Sequence, residues 1–272
     1  MEMPYRYLPL WLGLLIALPA VATQGQSSVP AEESAQQAEK PQETDPERRD
    51  VELKPLSATY TATLERGISI SGEATRSLSR RDDGRWLYEF NVDSFLADLR
   101  ESSVLRYENQ RVISDRYRYS LEGYLIGNRY NSYRFDWDNQ ILKDMQYDRE
   151  IDISDVPSIQ DQLGAQLQLW LDLRAGKTHM EYIIPDDDED DDFKNYEFAV
   201  LREETLDTER FGELETVLVE RVRDEDSPRT THIWFVPEWD HLLVRLDQLN
   251  TEGENFRIRL RKATLHDRKI RP

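Results

Sequence analysis

Strict alternation of apolar and polar residues is the feature that most constrains this chain. Trp86, Tyr88, Phe90 and Val92 occupy every second position, with polar residues at most of the positions between them. A period of two places successive side chains on opposite faces of a β-strand. The pattern recurs at residues 116–121, 133–137 and 256–261. It predicts sheet with one buried face and one face exposed to water.

Turn residues separate these runs at the spacing of hairpins. Examples are Arg66-Gly67, Asp82-Asp83-Gly84, Asn109-Gln110 and Thr251-Glu252-Gly253. The predicted strands lie near 57–65, 68–79, 85–95, 101–108, 111–122, 128–137, 140–147, 177–184, 195–206, 213–223, 229–236, 241–250 and 255–264. Such short loops join antiparallel strands only. The predicted class is therefore all-β and mainly antiparallel, a large curled sheet or open β-barrel of about 10–13 strands.

One segment departs from the alternation and predicts a helix over residues 158–175. Its apolar residues recur at helical spacing, Ser158 with Asp161 resembles a capping box, and Gly176 stands at a C-cap position. A barrel of more than about eight strands encloses a lumen that something must fill. Two alternatives stay open: the helix completes the core, or it shares the interior with an apolar ligand.

The N-terminal residues predict export. Residues 1–22 combine Arg6, an apolar run and the small-x-small site Ala20-Val21-Ala22, which is typical of a secretory signal peptide. The alternative is an uncleaved membrane anchor, but Pro9 and Pro19 interrupt the run. We expect a disordered polar tether at 23–52, a single β domain at 53–266 and a basic tail at 267–272. The expected location is the periplasm, with no transmembrane segment after leader cleavage.

Cysteine content and charge exclude several kinds of site. The chain has no cysteine, so it has no disulfide, thiolate metal site, thiol nucleophile or lipidated cysteine. Its formal net charge of -19 argues against nucleic acid as a partner, because phosphate binding relies on clustered Lys and Arg. We therefore expect neither a cofactor nor a nucleic-acid partner.

Several short motifs resemble a known family. They are Leu56 and Tyr60 before Gly67 and Gly72, Phe135-Asp136-Trp137, Leu167-Gln168-Leu169 with Asp172-Leu173, Trp234-Phe235-Val236-Pro237 and Leu243-Val244-Arg245. Over about residues 53–265 the chain resembles the bacterial envelope family named domain of unknown function 3108. The resemblance implies a secreted, mostly antiparallel β fold with a short helical insertion. It supplies no catalytic residues.

Two sets of side chains are candidate binding residues. The first would line an aromatic sheet face that either forms ordinary core or holds an apolar ligand; its members are Trp86, Tyr88, Tyr117, Tyr119, Tyr133, Phe135, Trp137 and Trp170. The second is a basic strand face that either pairs with neighbouring carboxylates or binds lipid phosphate; its members are Arg257, Arg259 and Arg261.

Metal and catalytic sites are not predicted. The acidic run Asp186–Asp192 with Glu197 partly resembles a calcium loop, but Asp191 stands where such a loop requires glycine. It is either a solvated hairpin loop or a weak calcium site. The four histidines form no close pair at ligand spacing; they are His179, His232, His241 and His266. The motif Gly67-Ile68-Ser69-Ile70-Ser71-Gly72 has glycines at the wrong positions for a nucleophile elbow.

These observations predict a non-enzymatic periplasmic protein, monomeric, that binds a hydrophobic segment or lipid as a binding or chaperone-like module. The prediction depends on the aromatic face and on a strand count too high for a self-filled barrel. Two alternatives are a scaffold that binds another envelope protein through an exposed sheet edge and, less favoured, an envelope hydrolase.

Overall fold

The computed structural model describes residues 51–123, 128–186, 192–224, 227–251 and 253–272. The first eight strands are β1 (Leu56–Arg66), β2 (Ile68–Arg80), β3 (Trp86–Ser94), β4 (Ala97–Glu108), β5 (Arg111–Gly123), β6 (Arg129–Asp136), β7 (Ile141–Asp144) and β8 (Arg149–Asp152). Helix α1 (Gln162–Arg174) follows. The remaining strands are β9 (His179–Pro185), β10 (Phe193–Thr208), β11 (Gly212–Val222), β12 (Arg229–Val236), β13 (Leu242–Asn250), β14 (Glu254–Leu265) and β15 (Arg268–Ile270).

All described strands belong to one antiparallel sheet. Its order is β8-β7-β6-β5-β4-β3-β2-β1-β14-β13-β12-β11-β10-β9, and β15 pairs with β14. The first and last long strands are therefore neighbours at the centre of the sheet, where Leu56 lies opposite Leu265. Strands β8 and β9 are the two edges, and the connection between them carries α1. The Gln160 N–H from this connection donates to the Ile183 carbonyl of β9 at 2.9 Å.

The predicted fold class is confirmed, and each of the thirteen predicted strands coincides with a strand of the sheet. The strand count differs because the predicted strand at 140–147 contains only the four residues of β7, and because β8 and β15 were not predicted. Both additions involve strands of three or four residues, which are too short to show an alternation. The predicted turn at Asn109-Gln110 is confirmed by positive φ values of 51° and 63°.

Helix α1 begins four residues later than Ser158, so the prediction of Ser158 as its N-cap is wrong. The N-cap is Asp161, whose carboxylate accepts a hydrogen bond from the Gly164 N–H at 2.7 Å. The chain before Asp161 forms turns and places Ile159 in the core. At the other end Gly176 adopts a positive φ of 88°, as the C-cap prediction requires.

The helix is buried on all sides. Of its residues only Trp170 and Arg174 are not fully buried, and the buried set includes Gln162, Gln166 and Asp172. It contacts β4 and β5 on one side and β9 on the other, so it fills the space that the curled sheet encloses. In the described part of the chain, no helix has the length and apolar character that a bilayer crossing requires.

The structure extends beyond the expected boundaries of the β domain at both ends. Val51 and Leu53 are buried, and the Tyr107 hydroxyl donates to the Val51 carbonyl at 2.7 Å. Ordered structure therefore includes the last residues of the expected tether. The expected basic tail contains β15, in which Ile270 is buried. The expected signal peptide lies outside the described residues, as does the acidic run from 187 to 191.

Candidate functional site

Strand β5 spans the interior from one end to the other, and its contacts show where the helix and the pocket lie. Near its start, the Val112 N–H donates to Gln168 of the helix at 2.7 Å, and Ser114 Oγ accepts from the Asp161 N–H at 2.9 Å. Near its end, Leu121 lines a pocket. Seven residues of strand separate Ser114 from Leu121, a rise of about 23 Å. The helix therefore occupies one end of the interior, which we call the helix end, and the pocket occupies the other, the mouth.

The mouth pocket has apolar walls. The empty space between its walls is about 440 Å³ with the adjoining open solvent included, and the centre of a water molecule can move through about 30 Å³ of it. Its walls come from the ends of β1, β2, β3, β4, β5 and β14 at the mouth and from the turn between β3 and β4. The lining residues are Ala62, Leu64, Ile70, Gly72, Val92, Ser94, Leu96, Ala97, Leu99, Leu121 and Phe256. Such a wall suits a hydrocarbon group, because it offers almost no hydrogen-bonding atoms.

Close strand packing and exposed apolar side chains shape the mouth. At Gly72 a Cβ atom would lie 2.4 Å from the Asp93 carbonyl oxygen, so only glycine allows β2 and β3 to approach this closely. Phe95 in the turn beside the pocket is 97% exposed, and Ile68 at the start of β2 is 59% exposed. Large apolar side chains at such exposure are costly in water and are common at binding sites for apolar partners.

A buried polar layer separates the pocket from the helix. The Ser103 hydroxyl donates to Asp161 at 2.6 Å, and the Tyr117 hydroxyl donates to Glu101 at 2.7 Å. Burial raises the pKa of Glu101 to about 7 and that of Asp161 to about 6. The guanidinium of Arg76 donates to Gln166 of the helix at 2.9 Å. The helix is thus fixed at its N-terminus by polar contacts as well as by packing.

Inward-facing arginines lie at the same end of the sheet, on the side of the pocket wall beyond β14 and β13. Arg221 lies at the end of β11, Arg223 follows just after this strand, and Arg229 lies at the start of β12; we call these three the mouth arginines. Arg221 is 6% exposed and Arg229 is 8% exposed. The Arg221 guanidinium stacks 3.7 Å from the centre of the Tyr196 ring. Arg223 donates to the hydroxyl of the fully buried Thr231 at 3.0 Å.

The mouth arginines form a buried region of positive potential. Burial and then the charge of Arg221 lower the pKa of Arg223 to about 9. Burial, together with the charge of Arg221, also lowers the pKa of Lys194 on the neighbouring strand to about 8. Lys194 forms an ion pair with the buried Asp186. Four cationic side chains therefore share this region with one carboxylate among the described inward-facing residues.

The predicted aromatic residues lie on the inner face but away from the mouth pocket. Tyr88, Tyr117, Tyr119, Tyr133 and Phe135 are buried in the core, and Trp86, Trp137 and Trp170 pack against it. The Tyr117 and Tyr133 rings stack at 5.9 Å. Trp170 donates to the Asp240 carbonyl at 2.7 Å at the helix end. None of the eight is among the residues that line the mouth pocket.

The predicted basic face lies on the outside of the sheet, and each arginine has a carboxylate partner. Arg257 pairs with Glu65 at 2.6 Å, Arg259 with Asp247 at 2.6 Å, and Arg261 with Glu73 at 3.1 Å. This arrangement agrees with the pairing alternative. Anion binding by these three arginines stays a prediction, and the mouth arginines offer stronger geometry for it.

The histidines lie apart from the mouth pocket and from one another. His179 is close to Glu181 on its own strand and to Glu197 on β10, with their ligand atoms within 4.8 Å of one another. The sequence pattern His-x-Glu in a strand is sufficient to place Glu181 beside His179 on one face. The proximity of Glu197 depends on the register between β9 and β10, which the sequence does not show. All three side chains are at least one-third exposed, and the pairing of the imidazole with Glu197 at 3.3 Å accounts for their proximity. We assign no metal to them.

Comparison with solved structures supports the architecture. The chain is similar to a β-barrel-like protein of domain of unknown function DUF1849 from Brucella abortus, with a TM-score of 0.56 and 12% identity over 80% of this chain and 100% of that chain. A DUF1329 family protein from Desulfovibrio piger matches with a TM-score of 0.30 and 10% identity over 78% of this chain and 85% of that chain. The first likeness concerns the fold alone, and the second is too weak to carry an argument.

Comparison by sequence identifies the family. No curated protein matches the chain. The model of the family described as protein of unknown function (DUF3108) matches residues 101–260, which is more than half of the chain. The matched segment runs from β4 to β14 and includes α1, the mouth arginines and two of the residues that line the pocket, Leu121 and Phe256. The chain belongs to the DUF3108 family.

Proposed function

We propose that this protein is a non-catalytic binding protein of the bacterial periplasm that holds the hydrocarbon part of a lipid or other hydrophobic ligand in its mouth pocket. The observation that carries the proposal is the apolar lining of a pocket at the open end of a curled sheet whose other end is filled by α1. The pattern of residues 1–22 supports export to the periplasm.

The pocket chemistry favours binding over catalysis. Among its described lining residues only Ser94 has a polar side chain, and its hydroxyl donates to the Ala97 carbonyl at 2.7 Å. Catalysis by acid and base groups requires several converging polar side chains within reach of one reacting atom.

Filling the pocket tests the proposal. Ala97 lines the pocket and is partly buried, so the variant Ala97→Trp places an indole in the space that a ligand would occupy. We expect its affinity for a neutral fluorescent hydrophobic probe such as N-phenyl-1-naphthylamine to fall by about tenfold or more, since the lost apolar contact is worth at least about 1.4 kcal/mol. Fluorescence titration measures this affinity.

The neighbouring residue provides a matched control. Asp98 is exposed on the outer face of β4, so Asp98→Trp adds the same indole without reaching the pocket. We expect this variant to bind the probe as the unmodified protein does. Equal probe binding by all three proteins, or a complete lack of probe binding by the unmodified protein, would contradict the proposed function. Native mass spectrometry of protein isolated from cells then identifies a bound lipid or a bound protein.

A further inference from the structure

We propose that the ligand is an anionic amphiphile, whose phosphate or carboxylate group is bound by the mouth arginines while its hydrocarbon chain lies in the mouth pocket. This inference rests on the proposed function and specifies the chemical class of the ligand. It is carried by the placement of buried guanidinium groups on the same inner surface as an apolar pocket.

The sheet register connects the two features directly. Leu64 of the pocket lies opposite Phe256, Phe256 lies opposite Gln248, and Gln248 lies opposite Thr231. Thr231 accepts the hydrogen bond from Arg223. The step from Phe256 to Thr231 crosses two strand spacings, or about 10 Å. One molecule with a polar group at the end of an alkyl chain can therefore contact both the apolar wall and the arginines.

The arginines have hydrogen-bonding capacity that the described part of the protein does not use. One terminal nitrogen of Arg223 and one of Arg229 are buried without a hydrogen-bond partner there. Arg229 is 8% exposed, so water reaches little of its guanidinium. A buried N–H donor without a partner costs free energy, and a bound anionic group would satisfy both nitrogens.

The chemistry of guanidinium selects the ligand group. Arginine presents parallel N–H donors that match the oxygens of phosphate or carboxylate, and such charge-assisted bonds are strong in a poorly solvated site. The positive charges of the three arginines repel one another. In addition to burial, the charge of Arg229 lowers the pKa of Arg221, and the charges of Arg221 and Arg229 lower the pKa of Arg223. A bound anion would raise both pKa values. The chain as a whole is acidic, with a net charge of -19, so a general attraction for anions does not explain the cluster.

Three small molecules test separately how much the anionic head group and the hydrocarbon chain contribute to the affinity. Dodecyl phosphate carries both, dodecanol carries only the chain, and inorganic phosphate carries only the anion. We expect dodecyl phosphate to bind about tenfold or more tightly than dodecanol, because a charge-assisted hydrogen bond contributes about that factor. We expect inorganic phosphate to bind more weakly than dodecyl phosphate. Isothermal titration calorimetry of the whole protein, below the critical micelle concentration, measures all three.

Substitution of the arginines assigns the effect. We expect Arg223→Gln and Arg229→Gln each to lower the affinity for dodecyl phosphate by about tenfold while leaving dodecanol binding unchanged. Unchanged dodecanol binding also shows that the variant is folded. The control Arg257→Gln removes the same charge from the outer face, where Arg257 pairs with Glu65, and should change neither affinity.

Each contrary result has a distinct meaning. Equal affinities for dodecyl phosphate and dodecanol, or arginine variants that keep the full preference for phosphate, would overturn the amphiphile proposal and leave the binding function intact. Inorganic phosphate binding as tightly as dodecyl phosphate would also overturn it, since the chain would then contribute nothing. If none of the three binds, the proposed function itself fails.

Discussion

Replacing Glu101 with glutamine should raise the free energy of unfolding at pH 8 by about 3 kcal/mol. Glu101 is 1% exposed, and its second carboxylate oxygen has no hydrogen-bond partner among the described residues. Burial raises its pKa from 4.5 to about 7, although the Tyr117 hydroxyl and the Arg76 charge act in the opposite direction. Glutamine keeps an oxygen that accepts from Tyr117 and carries no charge to bury.

The pH dependence of the effect follows from the raised pKa. The unfolded chain loses the Glu101 proton near pH 4.5, whereas the folded protein keeps it until about pH 7. The free energy of unfolding therefore falls as the pH rises through this window and is level above it. In the glutamine variant this decline is absent, and the two proteins should be similarly stable at pH 4. Asp161, with a pKa raised to about 6, leaves a smaller decline in both.

Urea denaturation between pH 4 and pH 8 measures these differences. Glu203 is exposed on β10, so Glu203→Gln is a suitable control and should change the free energy of unfolding by a few tenths of a kcal/mol at most. Parallel stability curves for the unmodified protein and the Glu101 variant would show that the buried carboxyl does not titrate as the structure requires.

Truncating the helix side chain Leu163 to alanine should lower the free energy of unfolding by about 2 to 5 kcal/mol. Leu163 is fully buried in the first turn of α1, two residues after the N-cap Asp161. The helix lies between the β4–β5 wall and β9, so removing three carbon atoms there leaves a cavity that the surrounding sheet closes only in part.

The same denaturation experiment at one pH tests the helix prediction. Leu201→Ala removes the same atoms from a residue of β10 that is 43% exposed, and it should cost less than about 1 kcal/mol. If the two leucine variants lose similar amounts of stability, Leu163 of the helix is not tightly packed between the β4–β5 wall and β9. Retention of probe binding by Leu163→Ala would show in addition that the mouth forms independently of the tight packing at the helix end.

Alternation in the sequence was sufficient to predict the strands because every long strand has one buried face. Strand β8 was missed and the strand that contains β7 was predicted too long, since four residues give only two per face and the turn between the two strands contains the large apolar residue Tyr147. The pairing of β1 with β14 was beyond this reasoning. It joins Leu56 to Leu265, and no local pattern specifies a partner that distant in the chain.

The alternation predicted an apolar interior, but it did not indicate where a pocket would lie within it. The aromatic residues proposed as the lining of a ligand site, such as Tyr117 and Tyr133, are buried in the core and do not line the mouth pocket. The mouth arginines were missed because an arginine in an alternating strand is normally assigned to the wet face. Val217, Val219 and Arg221 in fact share one face, while Val222 is exposed on the other. Only the three-dimensional structure shows that the arginine lies on the buried face and the valine on the exposed one.

The ladder between β1 and β14 also bears on how the molecule is assembled. The strands from β1 to β8 can form a meander from neighbouring segments, but β1 keeps an unsatisfied row of backbone donors and acceptors until residues 254–265 arrive. An open strand edge invites pairing with other chains. During synthesis, the edge of β1 can therefore pair with other chains until nearly the whole polypeptide is available. Any truncation before β14 would leave that edge unpaired permanently.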